Sequence, residues 1–104
     1  MAQHNISILA VDDEAPIREV LERGLERAGH RCVTASNTRQ AVQLLQREPF
    51  ALALLDIMMP GKSGMEFLSE ILVRYPDTGV VMMTGVADTA TAVKAMREGA
   101  LDYI

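Results

Sequence analysis

The feature that most constrains this chain is a repeated change of apolar period. Short, nearly continuous apolar runs alternate with segments whose apolar residues recur every three or four positions. Ile6 to Val11 is rich in branched residues and bounded by Asn5 and Asp12, the pattern of a buried strand. From Ala15 to Ala28 the period lengthens. Ile17, Val20, Leu21, Leu25 and Ala28 form one stripe, Pro16 lies in the first turn and Gly29 just past the end, which predicts an amphipathic helix.

The same alternation follows three more times. His30 to Ala35 reads as a second strand, weakened by His30, Arg31 and Thr34 and therefore suited to a sheet edge. Asn37 can cap a helix carrying Ala41, Leu44 and Leu45, closed by Pro49. Ala51 to Leu55 predicts a third strand that ends in Asp56. Met65, Leu68, Leu72 and Tyr75 mark a third helix, and Gly79 to Met83 a fourth strand ending in Thr84. Val93, Met96 and Ala100 mark a fourth helix before Asp102, Tyr103 and Ile104 begin a fifth strand. Strands joined through helices by short connections must run parallel, so the expected class is α/β with an open, doubly wound sheet.

Composition narrows the function classes. The 104 residues carry 14 acidic and 10 basic side chains, a net charge of -4, which argues against nucleic-acid binding through a basic face. Two Phe, two Tyr and no Trp leave an aliphatic core to be built. A single cysteine, Cys32, excludes an internal disulfide and fits a reducing, cytoplasmic setting. No run approaches the roughly 18 to 20 apolar residues of a membrane span, and the first residues lack the pattern of a signal peptide. Patterns for phosphate loops, dinucleotide sites, zinc proteolysis and serine hydrolysis are absent from the sequence.

Three aspartates fall where such a fold places its ligand site. In open parallel sheets that site lies beyond the carboxyl ends of the strands, where the chain order reverses. Asp12 and Asp13 follow the first strand and Asp56 ends the third. If these strands are neighbours, the carboxylates converge and repel one another unless a hard cation such as Mg2+ neutralises them. Taken singly, each aspartate also fits a helix start or a turn.

At these residues the sequence resembles the receiver domain of two-component response regulators. The resemblance is carried by Val11-Asp12-Asp13-Glu14, by Leu55-Asp56-Ile57-Met58-Met59-Pro60-Gly61 with Gly64 following, by Met83-Thr84-Gly85, and by Gly99 to Ile104. It implies a flavodoxin-like sheet of five strands in the order 2-1-3-4-5. Residues 1–104 would be a single receiver domain, incomplete at its C-terminal end, before the family's lysine and fifth helix. Asp56 would accept a phosphoryl group from a histidine kinase or phosphotransfer protein. Asp13 would bind Mg2+ directly, Asp12 mainly through a water, and the Met58 carbonyl would complete the protein ligands with Asp56. Thr84 would bond a phosphoryl oxygen, and Tyr103 would be the aromatic switch residue.

The implied role is a signalling domain that switches conformation, not an enzyme acting on a separate substrate. A receiver-like interaction module that is not phosphorylated, or that fails to transmit, is the alternative. An uncovered sheet face would favour a homodimer. Ile17 and Val20, near the active-site end of the first helix, fit both the core and a partner-docking surface.

Overall fold

The computed structural model describes residues 5–57, 63–83 and 89–104, with the side chains of Thr89 and Tyr103 outside that description. Among the described residues there are five strands, β1 (Ser7–Val11), β2 (Arg31–Ala35), β3 (Leu52–Asp56), β4 (Gly79–Met83) and β5 (Asp102–Tyr103), and four helices, α1 (Ala15–Arg27), α2 (Thr38–Arg47), α3 (Gly64–Arg74) and α4 (Thr89–Glu98). All strand pairs are parallel, in the order β2-β1-β3-β4-β5. The sheet is the expected one, and the polar-diluted β2 does lie at an edge.

Alternation along the strands sorts side chains into two layers. Leu9, Val11, Ala53, Leu55, Val80 and Met82 point to one face, where α2, α3 and α4 supply Ala41, Leu45, Phe67, Leu68, Ile71 and Ala95. Ile8, Ala10 and Leu54 point to the other, joined by Cys32 of β2 and by Leu21 and Leu25 of α1. The first layer is the larger core. On the second face Leu52, Val81 and Met83 are only partly buried.

Local chemistry sets the helix ends. Asn37 caps α2, its side chain accepting from the Gln40 amide at 2.8 Å. Ser63 caps α3 by accepting from the Glu66 amide, and its hydroxyl donates to the Glu66 carboxylate, both at 3.2 Å. The backbone turns out of α1 at Gly29, whose φ of 93° is a left-handed conformation suited to glycine.

The helix stripes are rotated from their expected positions. In α1, Val20 is 68% and Ile17 40% exposed, and Leu21 and Leu25 alone pack on the core cluster. In α4, Val93 and Met96 are exposed while the smaller Ala95 is buried. In α3 the buried centre is Gly64, Phe67, Leu68 and Ile71, with Met65, Leu72 and Tyr75 on its flanks. Periodicity finds the helix, but several apolar residues lie on each of these helices, and packing decides which reach the sheet.

Cys32 is buried, and burial pushes its thiol up from the usual range, with the nearby acids Glu22 and Glu26 adding to the effect. Its environment is that of a small core residue.

The buried and exposed sides of α3 make a quantitative contrast. Ile71 is fully buried and Val73 is 82% exposed. Ile71→Val is expected to cost about 0.5–1.5 kcal/mol, and Val73→Ala to stay within about 0.5 kcal/mol. Urea melts of both variants check this order.

Candidate metal centre at the carboxyl end of the sheet

The site is built by register. Val11 of β1 pairs with Leu55 of β3, so the next residues, Asp12 and Asp56, emerge side by side at the carboxyl ends of adjacent strands. This is also where the chain order reverses: β2 lies on one side of β1, and β3, β4 and β5 follow on the other. Carboxylate oxygens of Asp12, Asp13 and Asp56 lie within 4.8 Å of one another. Asp12 is buried, Asp13 exposed and Asp56 between the two. The three aspartates singled out in the sequence are thus brought together.

The donor set fits a hard divalent cation. Every ligand atom it offers is a carboxylate oxygen, and the group contains no imidazole or thiolate that would favour zinc or copper. Asp12 has a second duty, because its Oδ1 accepts from the Glu14 amide at 2.9 Å at the entry to α1. One of its oxygens is therefore engaged by backbone.

Two neighbours complete the positioning. Asp56 pairs with Met83 of β4, whose carbonyl accepts from the Ile57 amide at 3.0 Å. Gly64 opens α3 directly against this turn, its amide donating to the Ile57 carbonyl at 3.2 Å. A Cβ built on Gly64 would sit 2.5 Å from the Asp56 carbonyl oxygen and 2.7 Å from the Ile57 Cα. Only glycine permits this approach of backbone to backbone. In the sequence Gly64 stands out as part of a motif, but its reason, contact across a loop, is not legible there.

Met58 and Thr84 lie outside the described residues. Tyr103 pairs through its backbone with Met82, and its side chain lies outside the description. Arg18 is a site neighbour that sequence reasoning passed over: its guanidinium donates to the Asp12 carbonyl at 2.8 Å. Its only sequence signal is its place among the polar residues of α1.

A separate hollow of about 370 Å3 lies at the opposite end, before β3 and β4. Its walls mix Arg47 and Arg74 with Glu48 and Asp77, so it presents no field of one sign.

Comparison with known proteins agrees with this geometry. The family model described as the response regulator receiver domain matches residues 8–104. The chain belongs to that family, whose members are signalling domains of response regulators. It is 42% identical over 96 residues to the response regulator protein PilR of Pseudomonas aeruginosa, covering 92% of this chain and 22% of that protein. It is also 41% identical over 104 residues to the phosphate regulon transcriptional regulatory protein PhoB of the same organism, covering 94% and 44%. The chain thus spans less than half the length of these relatives.

Among solved structures, NtrX from Brucella abortus superposes with a TM-score of 0.91 at 36% identity, covering 96% of this chain and 23% of that one. A response regulator from Burkholderia pseudomallei, solved with a phosphorylated aspartic acid, a calcium ion and citrate, gives a TM-score of 0.87 at 32% identity, covering 95% and 58%.

Glycine substitutions separate a tight site from an open one. Gly64→Ala is expected to destabilise by about 1–3 kcal/mol, because backbone must move to admit the methyl group. Gly24→Ala, inside α1 with nothing within 4 Å of its added Cβ, should stabilise by about 0.4–1 kcal/mol. Thermal or urea melts distinguish the two signs.

Proposed function

We propose that this chain is a phosphoaccepting receiver: Asp56 takes a phosphoryl group from a histidine kinase or phosphotransfer protein, with Mg2+, and the domain then switches conformation. The observation that carries the reading is the convergence of Asp12, Asp13 and Asp56 within 4.8 Å at the carboxyl end of the sheet, in a chain of the receiver family.

The chemistry follows from the residues. A carboxylate oxygen of Asp56 attacks phosphorus; the new P–O bond forms as the P–N bond to the donor imidazole breaks, and the imidazole nitrogen keeps the electron pair. The product is an acyl phosphate on Asp56. Asp12, Asp13 and Asp56 would hold the cation, Asp13 directly and Asp12 mainly through a water, with the Met58 carbonyl as a further ligand by the family resemblance, and a cation bound there would offset charge on the transferring group. By the family resemblance, Thr84 would bond a phosphoryl oxygen and Tyr103 would respond as the switch residue.

Exposed Ile17 and Val20 on α1 support kinase docking beside the site, and exposed Val93, Met96, Leu101 and Ile104 offer apolar surface to a second copy. Residues 1–104 act in this reading as one receiver domain in the cytoplasm. Among the described residues, no helix is long and apolar enough to cross a membrane.

The test is incubation with Mg2+ and acetyl phosphate, followed by intact mass measurement. One labile phosphoryl group is expected on the wild type, none on Asp56→Asn, and none when the metal is chelated. Val20→Asp should keep labelling by acetyl phosphate and lose transfer from a phosphorylated histidine kinase. An unlabelled wild type would favour the non-phosphorylated interaction module, and a labelled Asp56→Asn would move the acceptor elsewhere.

A further inference from the structure

We propose that Arg18 is a positioning residue for the acidic site: it fixes the Asp12–Asp13 peptide, and through that peptide it sets the direction of Asp13. This rests on the metal-binding reading of the three carboxylates.

The geometry around that peptide is specific. The Asp12 amide donates to the Ala35 carbonyl of β2 at 3.1 Å. Asp12 Oδ1 accepts from the Glu14 amide at 2.9 Å. The Asp12 carbonyl, which unlike the Asp12 amide belongs to the peptide leading to Asp13, accepts from Arg18 Nη1 at 2.8 Å. Asp13 itself is exposed and makes no hydrogen bond of its own among the described residues. Its approach to the other two carboxylates is therefore governed by the orientation of the peptide before it, and Arg18 is the side chain that holds that peptide.

The choice of acceptor matters. Arg18 donates to a neutral carbonyl, and among the described residues the ion pair formed is Arg31 with Glu48, not Arg18 with an acid of the site. A guanidinium seated on a carboxylate would compete with a cation for the same oxygens. Seated on the carbonyl, it would order the loop without occupying a carboxylate oxygen of the site. Outer groups that orient metal ligands in this way commonly change metal affinity by about tenfold or more when removed.

Arg18 also spans two elements. Its backbone belongs to α1 and its partner to the end of β1. Arg18 lies between Ile17 and Val20, so a protein docking on that helix would bear on the same residue that orients the site.

The test compares wild type with Arg18→Met, which keeps a long apolar stem but loses the donor, and Arg18→Lys, which restores a donor and the charge. Mg2+ is titrated into each while backbone amides are followed by NMR, and amide exchange is measured without metal. Arg18→Met should weaken Mg2+ binding about tenfold, and the Glu14 amide should exchange faster in the metal-free protein. Arg18→Lys should recover a substantial part of both losses.

Unchanged Glu14 exchange in Arg18→Met overturns the proposal, and so does faster exchange with Mg2+ affinity within twofold of wild type. If wild type binds Mg2+ no better than Asp13→Ala, the metal reading fails instead. The exchange measurement then still decides whether Arg18 fixes the loop.

Discussion

Two central strands run in parallel, in a register that brings like charges together. β1 and β3 are among the most buried strands of the sheet, and the pairing of Val11 with Leu55 makes Asp12 and Asp56 neighbours, with Asp13 next in the chain. Two ionised carboxylates 4.8 Å apart, the upper limit of separation within the group, would repel by about 0.9 kcal/mol under water-like screening and about 3.5 kcal/mol at an effective dielectric of about 20. The aliphatic layers on both faces of the sheet hold the register in spite of that repulsion.

Much of the remaining local structure serves this end of the sheet. The buried face of α3 anchors that helix through Phe67, Leu68 and Ile71, and Gly64 lets its first turn press against the backbone of Asp56 and Ile57. Asp12 is tied at its amide, its carboxylate and its carbonyl. A hydrogen-bonded Asp12 and a more exposed Asp13 make a site whose acidic groups are gathered together while one of them keeps access to solvent. Such a donor set suits a hard cation, and in the proposed reaction a cation held there would offset the charge of a phosphoryl group attached at Asp56.

Much of this was legible in the sequence, for identifiable reasons. Strands with both faces covered read as short apolar runs, so β1, β3 and β4 were found within one residue of their limits. Asp12, Asp13 and Asp56 follow from the rule that ligands sit beyond strand carboxyl ends, and the motif around them identified the family. Helix faces were less legible. Val20 and Met96 are spaced as core residues yet exposed, because the sheet needs only part of each stripe and small side chains such as Ala95 fit the closest contacts. Arg18 and Gly64 were the least legible: their importance depends on a carbonyl and a backbone turn supplied by other parts of the chain.

If the three carboxylates repel one another and a divalent cation relieves that repulsion, the sign of one substitution must differ between two conditions. Asp13→Asn removes one charge from the cluster with little change of shape. With chelator present, the variant should unfold at a higher urea concentration than wild type, because repulsion has been reduced. At saturating Mg2+ the order should reverse, since wild type gains stability from a ligand that the variant holds less well. A shift of the same sign in both conditions, or a wild type whose midpoint ignores Mg2+, would mean that the carboxylates are not a cation-relieved cluster.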